Sequence, residues 1–126
     1  MADIYFHSTD GMGKTLRISA NYGNMARAVG LQDVLFRPYR INKDYISVGY
    51  DQAHERVMDK KISVYGKNLI QHLKAGLKRI QKRSLELKAY EASNGTVTVK
   101  EFSALVAEYL DACQVYRETK IEVVRL

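Results

Sequence analysis

The sequence predicts an α+β fold in which an N-terminal antiparallel sheet, of about four strands with one short helix, precedes a C-terminal antiparallel helical hairpin. Two observations predict this fold class. The first fifty residues contain short β-prone runs, four tyrosines ahead of Tyr50 and the only proline of the chain, a composition typical of strands joined by turns. After Asp51 the apolar residues recur every three or four positions, which is the period of an amphipathic helix. A chain of 126 residues fits one domain, residues 1–126, with a β-rich part over 1–50 and a helical part over 51–126.

A first hairpin and the short helix are predicted in the first thirty residues. Residues 3–8 and 14–19 alternate apolar and polar side chains on either side of a glycine-containing turn, as two paired strands do. Residues 21–30 are expected to form the short helix. Gly30 is expected to end it, because glycine readily adopts the left-handed conformation found just beyond helix ends.

A second hairpin is predicted next. Residues 34–41 and 45–50 contain aromatic and β-branched side chains on either side of a turn at 42–44, which is a strand signal. Pro38 lacks an amide hydrogen, so its strand is expected to lie at a sheet edge or to be bulged there. The change of period then predicts a helix that Asp51 caps and that ends at about residue 60.

The helical hairpin has the clearest pattern in the chain. A long amphipathic helix is expected over residues 67–91. Thr98 and Glu101 have the spacing of a capping box, so a second helix is expected from there to about residue 118. Residues 121–126 are expected to add a final strand. The apolar stripe of the long helix consists of Ile70, Leu73, Leu77, Ile80 and Leu87.

The positive charge of the chain is concentrated around this long helix. The net charge is +6, and the segment from Arg56 to Lys88 holds ten basic residues against two acids. At about 100° per residue, the basic side chains of the helix fall on an arc opposite its apolar stripe. Such a surface predicts an acidic partner (nucleic acid, an anionic membrane surface or an acidic protein patch), unless it only solvates the helix. The residues of the arc are Lys67, Lys74, Lys78, Arg79, Lys82 and Arg83.

The function expected from this pattern is that of a small, non-enzymatic binding or regulatory protein that contacts nucleic acid through the basic helix face. Arg37, Tyr39 and Arg40 are weaker candidates for the same contact, because aromatic side chains stack on unpaired bases while arginines hold phosphates. An ordinary strand pair, with its tyrosines half buried in the sheet, is the preferred interpretation of these residues.

The alternative function is a protein–protein interaction module, or an inhibitor of the type found in mobile elements, whose basic face docks on an acidic protein surface. The two functions differ in how binding responds to salt, because contacts to phosphates weaken steeply as salt rises. A homodimer is compatible with either function, since helical hairpins associate into four-helix arrangements.

No motif specifies catalysis, a metal or a cofactor. Residues 11–15, Gly-Met-Gly-Lys-Thr, resemble the end of a phosphate-binding Walker A loop. Ser8 stands where the first glycine of that loop belongs, and the residues after Thr15 are β-prone. A hairpin turn is therefore the preferred interpretation, and phosphate binding stays an open alternative. We expect a protein that is not an enzyme, holds no metal and needs no cofactor.

Cysteine usage and hydropathy indicate the compartment. Cys113 is the only cysteine, so no internal disulfide can form. Its place on the apolar stripe of the last helix predicts a buried thiol that packs as a small apolar group. No apolar run approaches the ~20 residues that span a bilayer. We therefore expect a cytoplasmic protein without membrane insertion.

Overall fold

A computed structural model describes residues 2–7, 14–41, 47–51, 56–59, 64–91 and 97–125 of the chain. Helices contain most of these residues, so the described chain is mostly helical. Short 3-10 helices lie at Ala20–Tyr22, Pro38–Ile41 and Lys88–Tyr90. The strands and α-helices are, in chain order, β1 (Ala2–His7), β2 (Lys14–Ile18), α1 (Gly23–Ala28), α2 (Gln32–Phe36), β3 (Ser47–Asp51), β4 (Arg56–Asp59), β5 (Val64–Tyr65), α3 (Gly66–Lys82), α4 (Ser84–Leu87), α5 (Val99–Val115) and β6 (Lys120–Arg125).

The main sheet joins the two ends of the chain. Its antiparallel strands follow the order β2, β1, β6, β5. The register of β1 with β6 extends from Ala2 opposite Arg125 to His7 opposite Lys120. The first and last described strands are therefore neighbours at the centre of the sheet. β3 and β4 pair with each other in a separate two-stranded sheet.

The predicted architecture, an N-terminal sheet of about four strands followed by a helical hairpin, is wrong. In the first thirty residues, the main sheet contains only β1 and β2, which pair as the predicted first hairpin. Its other strands come from the middle and the end of the chain. The division into a β-rich part and a helical part fails as well, because α1 and α2 lie in the first part and β4, β5 and β6 in the second. Pairing between the chain ends is non-local, and no local sequence pattern specifies it.

The second predicted hairpin is replaced by helices in the region where its first strand was expected. α2 is followed directly by the 3-10 helix Pro38–Ile41. Leu31, Val34 and Leu35 are buried, and their spacing of three and four residues is helical, not alternating. Pro38 opens the 3-10 helix, where its fixed φ fits and its missing amide hydrogen costs nothing. Residues 42–46, the predicted turn and the start of the second strand, lie outside the described residues.

The helix predicted after Asp51 is also wrong. Asp51 is the last residue of β3, and Arg56, the first residue of β4, pairs with it. Residues 52–55 lie outside the described part. A helix of about ten residues is marginal by itself in water, and the described residues Asp51 and 56–59 form paired strands instead.

The two long helices confirm the helical pattern of the second half. α3 ends at Lys82, earlier than predicted, but backbone hydrogen bonds of helical spacing continue from Arg83 to Arg79 and from Leu87 to Arg83. α5 begins at the predicted cap, because the Thr98 side chain accepts a hydrogen bond from the Glu101 amide at 3.1 Å. The Glu101 carboxylate is hydrogen-bonded to the Tyr22 hydroxyl.

The start of α3 packs against the end of α5. The Gly66 amide donates to the Thr119 carbonyl at 3.1 Å, and the Lys67 amide donates to the Arg117 carbonyl at 3.0 Å. The first amides of a helix have no partner within the helix, and here the turn between α5 and β6 supplies acceptors. Because the beginning of one helix meets the end of the other, the helices are antiparallel.

A glycine at position 66 permits this contact. A Cβ atom built on Gly66 would lie 2.5 Å from the Tyr116 carbonyl oxygen and 2.9 Å from the Cys113 carbonyl oxygen. Distances this short between a Cβ and backbone atoms do not occur in relaxed structures. The absence of a side chain at Gly66 is therefore a condition for the close approach of α3 to α5.

The core lies between α3, α5, α2 and the sheet. Tyr109 of α5 is fully buried, and its hydroxyl donates to the Val34 carbonyl at 3.3 Å. Gly76 of α3 faces Leu31, whose side chain occupies the space where a Cβ would stand. Tyr22 stacks on Phe102 of α5 with ring centroids 5.5 Å apart. The buried residues of α3 are Gly66, Leu69, Ile70, Leu73, Gly76 and Ile80.

Gly66→Ala is expected to lower the free energy of unfolding by about 2–3 kcal/mol, because the added methyl overlaps backbone atoms that cannot rotate away. Urea denaturation followed by circular dichroism measures this change. Gly23→Ala is the matched control. No atom lies within 4 Å of a Cβ built on Gly23, and alanine in a helix is more stable than glycine by up to about 1 kcal/mol. Equal free energies of unfolding for the two variants would contradict the contact at Gly66.

Candidate functional site

The basic arc predicted on the long helix is divided in the structure into side chains that hold the fold and side chains that face solvent. Lys74, Lys78 and Lys82 form the solvent-facing part, which we call the lysine row. All three are exposed on α3, and none has a hydrogen bond or ion pair with a residue of the described ranges. Successive members are four residues apart, so they lie on one ridge of the helix surface.

Arg79 and Arg83 contact the end of α1. The Arg79 Nε–H donates to the Val29 carbonyl at 2.6 Å, and an Nη–H of Arg83 donates to the Ala28 carbonyl at 2.9 Å. Carbonyls at a helix C-terminus lack partners within the helix and carry partial negative charge. The two guanidinium groups satisfy these carbonyls and join α1 to α3. Arg79 and Arg83 thus have a structural role, and their part in a binding surface stays a prediction.

Gly30 completes this junction. Its φ of 72° is left-handed, the conformation that commonly ends a helix and that glycine adopts at little cost. A Cβ built there would lie 3.4 Å from a terminal nitrogen of Arg79, so the Arg79 guanidinium packs over the bare Gly30 backbone. The sequence prediction that Gly30 ends the short helix agrees with this geometry.

Lys67, at the other end of the arc, is paired. Its Nζ lies 2.9 Å from a carboxylate oxygen of Glu118, and the two side chains are 45% and 78% exposed. An exposed pair of this kind contributes little to stability, about 0–1 kcal/mol, but it reduces the positive charge at that end of the helix. At the opposite end Arg83 is 4.0 Å from Glu86. The unpaired charge of the arc is therefore centred on the lysine row.

The weaker candidates lie on another element and are less accessible. Arg37 is the residue after α2, and Tyr39 and Arg40 belong to the 3-10 helix Pro38–Ile41. All three are half-buried, and Tyr39 packs against the hydrophobic core. These residues were expected to lie on one strand, but helices replace that strand. The structure therefore gives no geometric reason for Arg37, Tyr39 and Arg40 to contact one unpaired base together.

Sequence reasoning missed Leu85. Its side chain is 80% exposed, although large apolar side chains usually contribute to the core. Leu85 belongs to α4, which begins just beyond the lysine row. Counted at about 100° per residue along α3, Gln71 and Gln81, which are also exposed, fall on the side of the lysine row. A helical projection of all side chains, not only the charged ones, would have identified them.

The buried titratable side chains of α5 and the metal-ligating residue types were compared with the requirements of a reactive or metal-binding site in the described part of the chain. Burial raises the pKa of the Cys113 thiol to about 12, so the thiol is protonated at neutral pH and not nucleophilic. The pKa of Tyr109 is raised well above its ordinary value, mainly by burial and to a smaller extent by the neighbouring Cys113. No group of three or more His, Cys, Asp or Glu residues there could hold a metal ion. The Walker-like residues 11–13 lie outside the described residues.

Comparisons with known proteins do not add to this geometry. No protein-family model, no curated protein and no solved structure matches the chain. Among the helices that the structure describes, none combines the length and the apolar character needed to cross a membrane. The exposed basic surface of α3 is therefore the observation on which a function can be argued.

Arg79→Gln is expected to lower the free energy of unfolding by about 1–2 kcal/mol, because the Val29 carbonyl loses a charged hydrogen-bond donor. Lys78→Gln removes the same charge from the same helix one residue earlier and is expected to change stability by less than about 0.5 kcal/mol. Thermal and urea denaturation of both variants measure the difference. If Lys78→Gln were as destabilising as Arg79→Gln, the division of the arc into structural and free cations would be wrong.

Proposed function

We propose that the protein binds nucleic acid through the lysine row of α3 and acts as a non-enzymatic binding or regulatory protein. The observation that carries this proposal is the exposure of three lysines, at four-residue intervals, without a described anionic partner. A nucleic-acid backbone is a regular array of negative charges, and lysine contacts to it supply most of the affinity of binding that does not depend on sequence.

The energetics of the free helix support an anionic partner. Like charges four residues apart destabilise a helix by about 0.2–0.5 kcal/mol per pair, and the lysine row contains two such pairs, Lys74–Lys78 and Lys78–Lys82. Glu–Lys pairs would remove this cost. A bound polyanion removes it as well, since its phosphates lie between and beside the lysines.

We further propose that this binding takes place in the cytoplasm, and a homodimer is compatible with it. A single cysteine without a disulfide partner supports a reducing compartment. A dimer would bring two lysine rows to one partner and increase the avidity for a long polyanion.

An acidic protein surface is the second candidate partner. The exposed Leu85 favours it, because the centre of a protein–protein interface is usually apolar while charges lie at its rim. The lysine row would then lie next to a small apolar contact. The two partners are distinguished by salt dependence and by tolerance of single substitutions, since rim charges contribute little to a protein interface.

The proposal is tested by fluorescence anisotropy with labelled single-stranded and double-stranded DNA and RNA. The variant Lys74/Lys78/Lys82→Gln is expected to lose about 100-fold in affinity at about 0.1 M salt. Each lysine–phosphate contact contributes about −0.7 to the slope of log K against log salt concentration, and the variant removes three such contacts. The matched control, Arg27/Lys100/Lys120→Gln, removes three exposed basic residues from α1, α5 and β6. It is expected to lose less than about 3-fold, since only long-range attraction changes.

Two results would contradict the proposal. Absence of binding to every probe at low salt would exclude nucleic acid as the partner, and the basic face would then be tested against acidic proteins. An equal loss in the triple variant and the control would show that net charge, and not the lysine row, governs binding. Circular dichroism of both variants checks that each is folded.

A further inference from the structure

The lysine row has the geometry of a surface that follows one nucleic-acid strand. We infer that Lys74, Lys78 and Lys82 contact successive phosphates of a single strand, and that this surface does not read the bases. The inference rests on the proposed function and adds to it the part of the ligand that is recognised. Its three components are the spacing of the lysines, the number of rows and the engagement of the arginines.

The spacing of the row matches a strand backbone. Four residues of α-helix advance about 6 Å along the axis, so the row covers about 12 Å from Lys74 to Lys82. This advance is comparable with the distance between neighbouring phosphates of one strand. Because each lysine has a flexible four-carbon stem and a compact charge, it adapts to a phosphate without fixing the orientation of the strand.

α3 offers one row of free cations, not two. Arg79 and Arg83, which continue the basic arc toward α1, donate to the Val29 and Ala28 carbonyls. A helix that lies in the major groove of a duplex is usually supported by contacts to the phosphates that flank the groove. The arginines on the side of α1 are bonded to backbone carbonyls. The described surface of α3 therefore contacts the phosphates of one strand, whether that strand is paired or unpaired.

The engagement of the arginines also limits base recognition. The commonest base-specific contact in proteins is a bidentate hydrogen bond from arginine or lysine to guanine, and arginine has the planar fork that fits it. On α3, Arg79 and Arg83 each direct one of their five N–H donors to a backbone carbonyl, which ties both guanidinium groups to the end of α1. Gln71 and Gln81 are the remaining exposed amides on the side of the row, and an amide can pair with adenine. They supply the alternative that the experiment must exclude.

The test is the salt dependence of binding to short single-stranded probes, oligothymidylate, oligoadenylate and a mixed sequence, each eight nucleotides long by design. Three contacts to a single strand give a slope of log K against log salt of about −2, and each single substitution Lys74→Gln, Lys78→Gln or Lys82→Gln is expected to reduce it by about 0.7. Lys78→Arg is expected to retain the slope. Lys100→Gln, an exposed control on α5, is expected to leave it unchanged.

The outcomes separate this inference from the proposed function. Equal affinity for the three probes within about 3-fold, with the stepwise loss of slope, supports recognition of one strand by its phosphates. A preference of more than about 10-fold for oligoadenylate that Gln71→Ala or Gln81→Ala removes would overturn it in favour of base recognition. A slope that stays unchanged after loss of each lysine would overturn it too. Absence of binding by the wild-type protein at low salt would instead reject the proposed function itself.

Discussion

The close approach of α3 to α5 is the contact on which the described fold depends. It requires Gly66, because a Cβ there would overlap the Tyr116 and Cys113 carbonyl oxygens. The amides of Gly66 and Lys67 donate to the turn that leads into β6, and β6 pairs with β1 at the centre of the main sheet. The position of α3 is thus fixed by the same segment that completes the sheet, and its inner stripe forms much of the core.

The charged arc on the opposite side of α3 is divided between side chains that are engaged in the fold and side chains that are exposed to solvent. The arginines lie beside α1, and their planar, multiply donating groups satisfy two helix-terminal carbonyls. The lysines lie farther from α1 and stay exposed. Arginine suits a position that needs directed hydrogen bonds, because its guanidinium is planar. Lysine suits a position where a mobile charge is sufficient, because its stem is flexible. The number of basic residues on the helix is therefore larger than the number that is exposed without a contact in the fold.

The sequence predicts those features that are set within one helix. The cap at Thr98, the stripe through Leu73 and Ile80, and the exposure of the lysine row all follow from helical period and local hydrogen bonding. Two features do not follow from it. Sheet order depends on pairing between strands that are distant in the chain. The β-branched and aromatic residues around Val34 favour a strand, although the buried residues there have a helical spacing.

The sequence predicts the basic arc but not the contacts of its individual side chains, for a related reason. A helical projection separates charged from apolar side chains, but it does not show which neighbour lies beside a given charge. Arg79 and Lys78 are adjacent in sequence and equivalent in charge, and only the position of α1 distinguishes them. The prediction of a strand at 34–41 also placed Arg37 and Arg40 in a pattern that the structure does not contain. Local periodicity thus predicts the exposed face of the helix, and tertiary packing determines which of its cations are engaged in the fold.

The central claim, that the lysines of α3 are free to bind while its arginines hold α1, is tested most directly by NMR. Titration of isotopically labelled protein with a short single-stranded oligonucleotide would follow the side-chain signals of Lys74, Lys78 and Lys82 together with the Nε–H signal of Arg79. We expect the lysine signals to shift with added ligand and the Arg79 signal to stay in place, because its hydrogen bond to Val29 is retained in the complex. A larger shift of Arg79 than of the lysines would contradict the account.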